Sequence, residues 1–506
     1  MLTSLGEILP AAAVKHGEKT ALVFKGESFS FRDLDDLSDR LARGLETLGI
    51  AAGDRVTLYS ANCWEWIVSY YATLKIGAVI NPINVMLTPE EVAFVAADCG
   101  AKAVLASKDK GEPILGLKNS SDVEEIIIFG DQVPDGARSF NELIASNEPD
   151  FEIHEVPADA LSTICYTSGT TGHPKGAMQS HRSIILNAAL LANMHVRTAE
   201  DTIVTALPCP HVYGNVIFNA AFMYGMTLVL HPLFVQDEIL QSIQDHDATM
   251  FEGVPTMYLY LLDHPRLTDY DLSSLTRCTV GGQTMAVNKM QEVEERFGCP
   301  LIELWGMTEL AGLGTTNLRY GLNKHGSIGV SLPGCEMRIT AVDDASRTLP
   351  RGEVGELMAR GPIVMQGYYG NDQGTAETIE PDGWLHTGDL ASMDGDGYIT
   401  IVDRKKDMIL TAGYNVYPAE IERVVAEHSD VALVAVGRQP DEMKGEIAKA
   451  YVVLKKGASG DEESIVSHCR EHLAAYKVPR AVQFVDDLPK TSTGKIMRRE
   501  LRKLDA

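Results

Sequence analysis

No C-x-x-C pair occurs anywhere in this 506-residue chain, its eight cysteines (63, 99, 165, 209, 278, 299, 335 and 469) are scattered, and no histidines cluster at zinc spacing. That argues against a structural metal and for reduced thiols in a cytoplasmic compartment. Positive charge is scarce too: 44 Lys+Arg against 70 Asp+Glu leave a net charge of -26, which speaks against a nucleic-acid partner. The N-terminal MLTSLGEILPAAAV has no early Lys or Arg and is broken by Glu7, so it does not read as a secretory signal. From Thr202 to Gln236 there is no Asp, Glu, Lys or Arg at all. Prolines and glycines interrupt that segment, and its clean stretches fall short of the ~20 residues a membrane span needs. It reads as a buried helix and strand beside a pocket, with no integral membrane segment. Also missing are a Walker loop, since Lys175 is followed by Gly176, the HRD and DFG elements of kinases, and a G-x-G-x-x-G after a strand. No repeat of 20–50 residues is visible.

What is present is a long alternation of helices and strands. FRDLDDLSDRLARGLETLG is an amphipathic helix ending at Gly49, RVTLY a strand, CWEWIVSYYATLKIG a helix and AVINP a strand. Thr88-Pro89-Glu90-Glu91 forms a capping box before a helix reaching Cys99, and KAVLA follows as a strand. Such units imply an α/β fold with mostly parallel sheets covered by helices on both faces. After about residue 400 the pattern changes to a compact α+β unit: a helix at 418–428, strands VALVAVG and EIAKAYVVL, a helix at 461–474 and a last strand AVQFV. The expected division is a large N-terminal domain, 1–403, and a small mobile C-terminal domain, 404–506. Between them the charged run VDRKKD, 402–407, reads as a solvated turn or a hinge near 403–406. Residues 475–506 carry eight Lys/Arg against four Asp/Glu, a basic tail suited to closing over an anion.

The stretch YTSGTTGHPKGAM, 166–178, gathers hydroxyls, glycines and one lysine. Glycines let backbone N–H groups converge, hydroxyls donate, and Lys175 adds a point charge, so the loop suits a phosphate. It follows a short buried strand, Leu161–Tyr166, and precedes a helix capped by Ser180.

Five further stretches occur in order: GGQTM (281–285), WGMTE (305–309), WLHTGD (384–389), DRKKDMILTAGYNVYPAEIE (403–422) and PKTSTGKI (489–496). With the loop they resemble the adenylate-forming superfamily of acyl-CoA synthetases, adenylation domains and luciferases, over the whole chain. The resemblance is greatest to fatty-acid and 4-coumarate-type acid:CoA ligases. It implies an AMP-forming acid:CoA ligase using ATP, Mg²⁺ and coenzyme A. Thr167, Ser168, Gly169, Thr170, Thr171, Gly172 and Lys175 would hold the β- and γ-phosphates. Gly282, Gln283, Trp305, Gly306 and Met307 would line the nucleotide site, Trp305 flanking adenine where many relatives have tyrosine. Thr308 would contact the α-phosphate, and Glu309, expected as an exposed carboxylate in a cleft, would hold Mg²⁺. Asp389 would accept the ribose hydroxyls, Arg404 would sit beside ribose and phosphate, and Lys495 would stabilise charge during adenylation. Lys406 would be the hinge, with Gly413, Tyr414, Lys477 and Arg480 serving coenzyme A.

The acyl pocket, by the same resemblance, is lined by His211 (a gate), Val212, Tyr213, Gly214, Gly281, Gly306 and Gly312, the last leaving room for a longer tail. Absence of an acid in 202–236 disfavours an amino-acid substrate, and absence of an arginine there disfavours a second carboxylate. A monocarboxylic acid with an apolar or aromatic tail fits, fatty or arylalkanoic/cinnamic. A carrier-protein loader, a luciferase-like oxygenase and a catalytically dead nucleotide-binding module are the alternatives, and a homodimer is an open expectation.

Overall fold

Three hydroxyl residues open three of the expected helices. In this computed structural model, which describes residues 2–167, 174–412, 414–441, 443–490 and 496–505, Ser30 and Thr88 each accept a backbone N–H bond from the residue three further on. Asp33 and Glu91 return the bond, closing capping boxes ahead of helices Phe31–Thr47 and Pro89–Asp98. Ser180 accepts from Ser183 N and opens helix His181–Met194. Gly49, at φ +83°, follows the first of these helices in the left-handed conformation that ends it.

The chain forms two compact units, one of residues 1–336 with 359–385 and one of 337–358 with 386–506. The first holds two large sheets. In the nine-stranded sheet the central strands, among them Thr202–Thr205, Met250–Gly253, Arg277–Val280 and Leu301–Met307, run parallel. Antiparallel strands close both edges. The eight-stranded sheet is parallel through Val79–Pro82, Arg55–Tyr59 and Ala101–Ala106. Burial of both faces explains the apolar strand sequences.

One strand was not legible. Lys175–Ser180 pairs antiparallel with Leu161–Thr167, Thr167 opposite Lys175, so the glycine-rich loop joins two strands of a hairpin before the Ser180 helix begins. Its sequence, KGAMQS, carries no β-branched residue and no alternation that would announce a strand. The charge-free segment becomes strand Thr202–Thr205, helix Val212–Tyr224 and strand Thr227–Leu230. Every residue of the helix from Val212 to Phe222 is buried. Among the described residues no helix is long and apolar enough to cross a membrane.

The second unit pairs a four-stranded sheet, which includes Leu385–Met393 and Ile399–Arg404, with a five-stranded sheet built on Val431–Asp441 and Gly445–Leu454. Helices Pro418–Ala426 and Glu462–His472 cover its core of Ile421, Val424, Val425, Ile465 and Cys469. The run 402–407 departs from a solvated turn at Asp403, which is only 3% exposed. Arg498 accounts for this. Its Nη1 lies 2.7 Å from Asp403 Oδ1 and 3.3 Å from Asp407 Oδ2, while Nη2 lies 2.5 Å from Glu422 Oε2. Asp403 Oδ2 also accepts the backbone N–H of Ala419 at 2.7 Å. A charged run is thus drawn inward by one basic residue ninety-five positions away.

All eight cysteines are free thiols, seven buried and Cys63 half-buried. Cys165 and Cys209 are packed as small apolar residues.

Candidate active site

Four backbone pieces of the larger unit converge on Glu309. Strand Leu301–Met307 runs into a single 3₁₀ turn, Thr308–Leu310, and Ala311 follows in the left-handed conformation at φ +53°. A non-glycine residue in that conformation marks a turn that its surroundings over-determine. The Thr308 carbonyl accepts from Gln179 Nε2 at 2.8 Å, and the Glu309 carbonyl accepts from Met365 N at 2.8 Å, tying the turn to strand Lys175–Ser180 and to the segment just before Gly367.

The Glu309 side chain is buried, not exposed in a cleft as expected from the sequence. Tyr368 explains how a carboxylate is kept there: its hydroxyl donates to Glu309 Oε1 at 2.7 Å. Lys175 Nζ stands 5.0 Å from the centre of the same ring, a cation over an aromatic face. Burial and the neighbouring carboxylate hold the Tyr368 phenol well above its ordinary range, so it stays a donor. Strand Gly367–Tyr368 is fixed by pairing with Lys175–Ser180, Tyr368 opposite Ala177. Sequence reading missed Tyr368. The available signal was an aromatic pair between two glycines, GYYG at 367–370.

Ser168, Gly169, Thr170, Thr171 and Gly172 lie outside the described residues, as do Gly413 and Lys495. Thr167 and Lys175 stand at the two ends of the hairpin loop. Trp305, Gly306 and Met307 are half-buried at the end of their strand, and Gln283 is half-buried beyond Gly281 and Gly282, the latter at φ +87°.

His211 caps helix Val212–Tyr224, its Nδ1 accepting from Tyr213 N at 3.3 Å. The glycines expected to line the acyl pocket serve close packing. A Cβ on Gly306 would stand 1.9 Å from the Gly312 carbonyl oxygen, on Gly214 2.3 Å from that of Pro208, and on Gly281 2.3 Å from Leu304 Cδ1. At Gly312 the space is filled by Val216 and Asn187, so its small size does not leave room for a longer tail. Tyr213 is 4% exposed, and its hydroxyl bonds Thr279 Oγ1 at 2.6 Å and Glu252 Oε2 at 3.4 Å. Glu252 in turn meets Arg197 at 2.7 Å, both fully buried. The stretch 202–236 therefore lacks charge in sequence only. Residues outside it bring an acid and an arginine to Tyr213.

In the smaller unit Asp389 and Arg404 face each other across paired strands, Asp389 Oδ1 2.7 Å from Arg404 Nε. Asp389 is 3% exposed, and Arg404 is half-exposed. The Lys406 carbonyl accepts from Arg438 Nη2 at 2.9 Å. Tyr414 stacks on Tyr476 with ring centres 4.8 Å apart. Lys477 Nζ lies 5.8 Å from the Tyr476 ring and 2.7 Å from Glu420 Oε1, and Arg480 is exposed.

The profile of AMP-binding enzymes matches residues 9–369, and that of the AMP-binding enzyme C-terminal domain matches 420–495. The chain belongs to the AMP-binding enzyme family. A long-chain-fatty-acid–CoA ligase of Bacillus subtilis is 34% identical, with 98% of this chain and 94% of that protein covered. A methyl-dioxo-octahydroindenyl-propanoyl:CoA ligase of Mycobacterium tuberculosis is also 34% identical, over 96% of each. Among solved structures, an anthranilate CoA ligase in complex with anthranoyl-AMP superposes with a TM-score of 0.93 at 29% identity, covering 99% of this chain and 97% of that one. This AMP-binding enzyme is an AMP-forming acyl-CoA synthetase that uses ATP and coenzyme A.

Proposed function

We propose that the enzyme activates a monocarboxylic acid with a largely apolar tail, fatty or arylalkanoic/cinnamic, to its acyl-AMP and then transfers the acyl group to coenzyme A. The observation that carries this reading is the buried strand–helix–strand of residues 202–230, a wall without charge of its own whose Val216 packs against Gly312, just after the Glu309 turn. The related ligases named above for a long-chain fatty acid, a ring-bearing propanoyl group and anthranilate support an acid of this broad class. We also propose that the functional domains divide at 403/404 and that the enzyme works in the cytoplasm.

The reaction brings a carboxylate onto a phosphate, so cationic and donor groups must offset charge on both and on the departing pyrophosphate. In our reading Lys175, Thr167 and residues 168–172 hold the β- and γ-phosphates, and Thr308 holds the α-phosphate. Trp305 flanks the adenine, Asp389 accepts the ribose hydroxyls, and Arg404, 2.7 Å from that carboxylate, sits beside ribose and phosphate. Among the described residues no group of three or more His, Cys, Asp or Glu is placed to hold a metal. The single carboxylate of Glu309 fits a hard cation that takes its other oxygens from phosphate and water, as Mg²⁺ does. Held at Oε1 by Tyr368, Glu309 would supply that carboxylate. When bound, the ion supplies positive charge at the phosphates. Tyr414, Lys477 and Arg480 form the basic, aromatic surface for coenzyme A.

The test is pyrophosphate release with fatty, arylalkanoic and cinnamic acids, with and without coenzyme A. One class should give adenylate alone and thioester when the thiol is added. Thioester formation only on a carrier protein would overturn the acceptor, and no release with any acid would overturn the activity. Glu309→Gln checks the metal role. Glutamine keeps the acceptor for Tyr368, so stability should change by less than about 1 kcal/mol. Adenylation at limiting Mg²⁺ should still fall about tenfold or more, the effect of losing a ligand charge. Unchanged Mg²⁺ dependence would remove Glu309 from the metal site.

A further inference from the structure

Tyr368 has no role in the chemistry proposed above, yet it touches both a cation and the carboxylate of the site. Its hydroxyl donates to Glu309 Oε1 at 2.7 Å, and Lys175 Nζ stands 5.0 Å from the centre of its ring. Among the described residues no ion pair joins Lys175 to Glu309. The lysine takes the negative face of the ring, and the carboxylate takes the hydroxyl at its edge. The group is open on one side, because Lys175 and Thr308, the neighbour of Glu309, are only half-buried.

The backbone holds the ring in this position. Tyr368 lies directly opposite Ala177. Lys175 is two residues from Ala177 and so on the same face of its strand, which makes it the diagonal cross-strand neighbour of Tyr368. Bonds on either side fix the register: Gln366 N donates to Met178 O at 2.9 Å, and Tyr369 N to Gly176 O at 2.8 Å. Tyr368 N donates to Thr375 Oγ1 at 2.8 Å, on the helix Asp372–Thr378 that Asn371 caps. Gly367, at φ +134°, allows that approach, since a Cβ there would stand 2.8 Å from Thr375 Cγ2. The same segment holds the Glu309 carbonyl through Met365 N. One short stretch of chain therefore sets the lysine, the ring and the carboxylate relative to one another.

We propose that Tyr368 is a positioning residue for the magnesium–ATP complex, which keeps Lys175 and Glu309 from pairing with each other, so that the lysine is free for the phosphates and the carboxylate is held for the metal. The proposal rests on the reading of Lys175 as a phosphate ligand and of Glu309 as the metal carboxylate. A direct Lys175–Glu309 pair would cancel the two charges the nucleotide and its metal need, and would have to be broken on binding. Phenylalanine at 368 keeps the ring face for Lys175 but withdraws the donor from a buried carboxylate. Leucine removes both.

The experiment measures binding of α,β-methylene-ATP, which cannot release pyrophosphate, by titration calorimetry on the full chain with and without Mg²⁺. Tyr368→Phe should bind the magnesium form about tenfold more weakly than the wild type, the effect of losing a hydrogen bond that orients a metal ligand. It should bind the metal-free form as the wild type does. Tyr368→Leu should weaken both forms, because Lys175 is then released to pair with Glu309. In adenylation assays Tyr368→Phe should need about tenfold more Mg²⁺ for half-maximal rate and should approach the wild-type rate at saturation. Thermal unfolding verifies that each variant is folded, and the phenylalanine variant, which keeps the ring, carries the test if the leucine variant does not fold. Wild-type affinity of Tyr368→Phe for the magnesium form, or an equal loss for both forms, would overturn the inference. A folded Tyr368→Leu that binds the metal-free form like the wild type would overturn the part given to the ring. Glu309→Gln separates this inference from the reading it rests on. If that variant binds the magnesium form like the wild type, the metal assignment of Glu309 falls. If it loses affinity for that form and Tyr368→Phe does not, only the role of Tyr368 falls.

Discussion

Lys495→Ala will slow formation of the acyl-adenylate by about 10²–10³-fold, the usual effect of removing one preorganised contact to developing charge. Supplied with preformed acyl-AMP and coenzyme A, the same variant will make thioester at close to the wild-type rate. The asymmetry follows from the chemistry. Adenylation drives an anion onto an anion and needs cationic help, whereas a thiolate attacking a mixed anhydride meets a good leaving group. In our reading one lysine is required in the first step and in the way during the second. In our reading the turn at Gly413 replaces it, with Lys406 as the residue whose backbone changes. A bulky residue at Gly413 should spare adenylation and obstruct thioester formation, and Lys406→Pro should do the same by fixing φ. Single-turnover kinetics of each half-reaction decides. Equal damage to both steps in all three variants would rule out the two-step exchange.

Arg498→Ala should destabilise the smaller unit by about 3–5 kcal/mol, the range for removing one partner of a buried ion pair. Asp403 would be left 3% exposed with no cation, and Glu422 and Asp407 would lose theirs. Glu422 also accepts the backbone N–H of Val436 at 2.8 Å, so the loss reaches the long strand Val431–Asp441. Denaturant unfolding of the full chain, read separately for each unit, measures it. A loss below about 1 kcal/mol, typical of exposed pairs, would mean that solvent replaces the arginine. A functional effect should accompany the loss, because Asp403 precedes Arg404 in the same strand.

Local rules were well written in the chain. Thr88 and Ser180 cap the helices they announced, because capping depends on residues three apart. Thr308, Glu309, Asp389 and Arg404 were singled out by the family resemblance, which rests on motifs contiguous in the sequence. What the sequence hid was pairing across distance. Tyr368 reaches Glu309 from fifty-nine residues away, Arg498 reaches Asp403 from ninety-five, and Glu252 reaches Tyr213 from thirty-nine. Each is an ordinary polar residue in its own neighbourhood, and nothing local tells whether it will be solvated or buried against a partner. Glu309 and Asp403 were taken as solvent-facing because carboxylates are rarely buried unless paired, and their partners lie far off in the chain. Gly312 shows the converse. A small residue near a pocket was read as space for substrate, when its own fold fills the space with Val216 and Asn187.

The placement of the cysteines turns the molecule into its own reporter. Cys469 is the sole thiol in the smaller unit, buried among Ile421, Val425 and Ile465, while the other seven belong to the larger one. A water-soluble alkylating reagent reacts with a buried sulfur only when the surrounding structure opens. Alkylation followed peptide by peptide in the mass spectrometer therefore yields two clocks from one native sample. The Cys469 peptide times the opening of the smaller unit, and the Cys278 and Cys299 peptides time the nine-stranded sheet, without a label, a tag or a truncated chain.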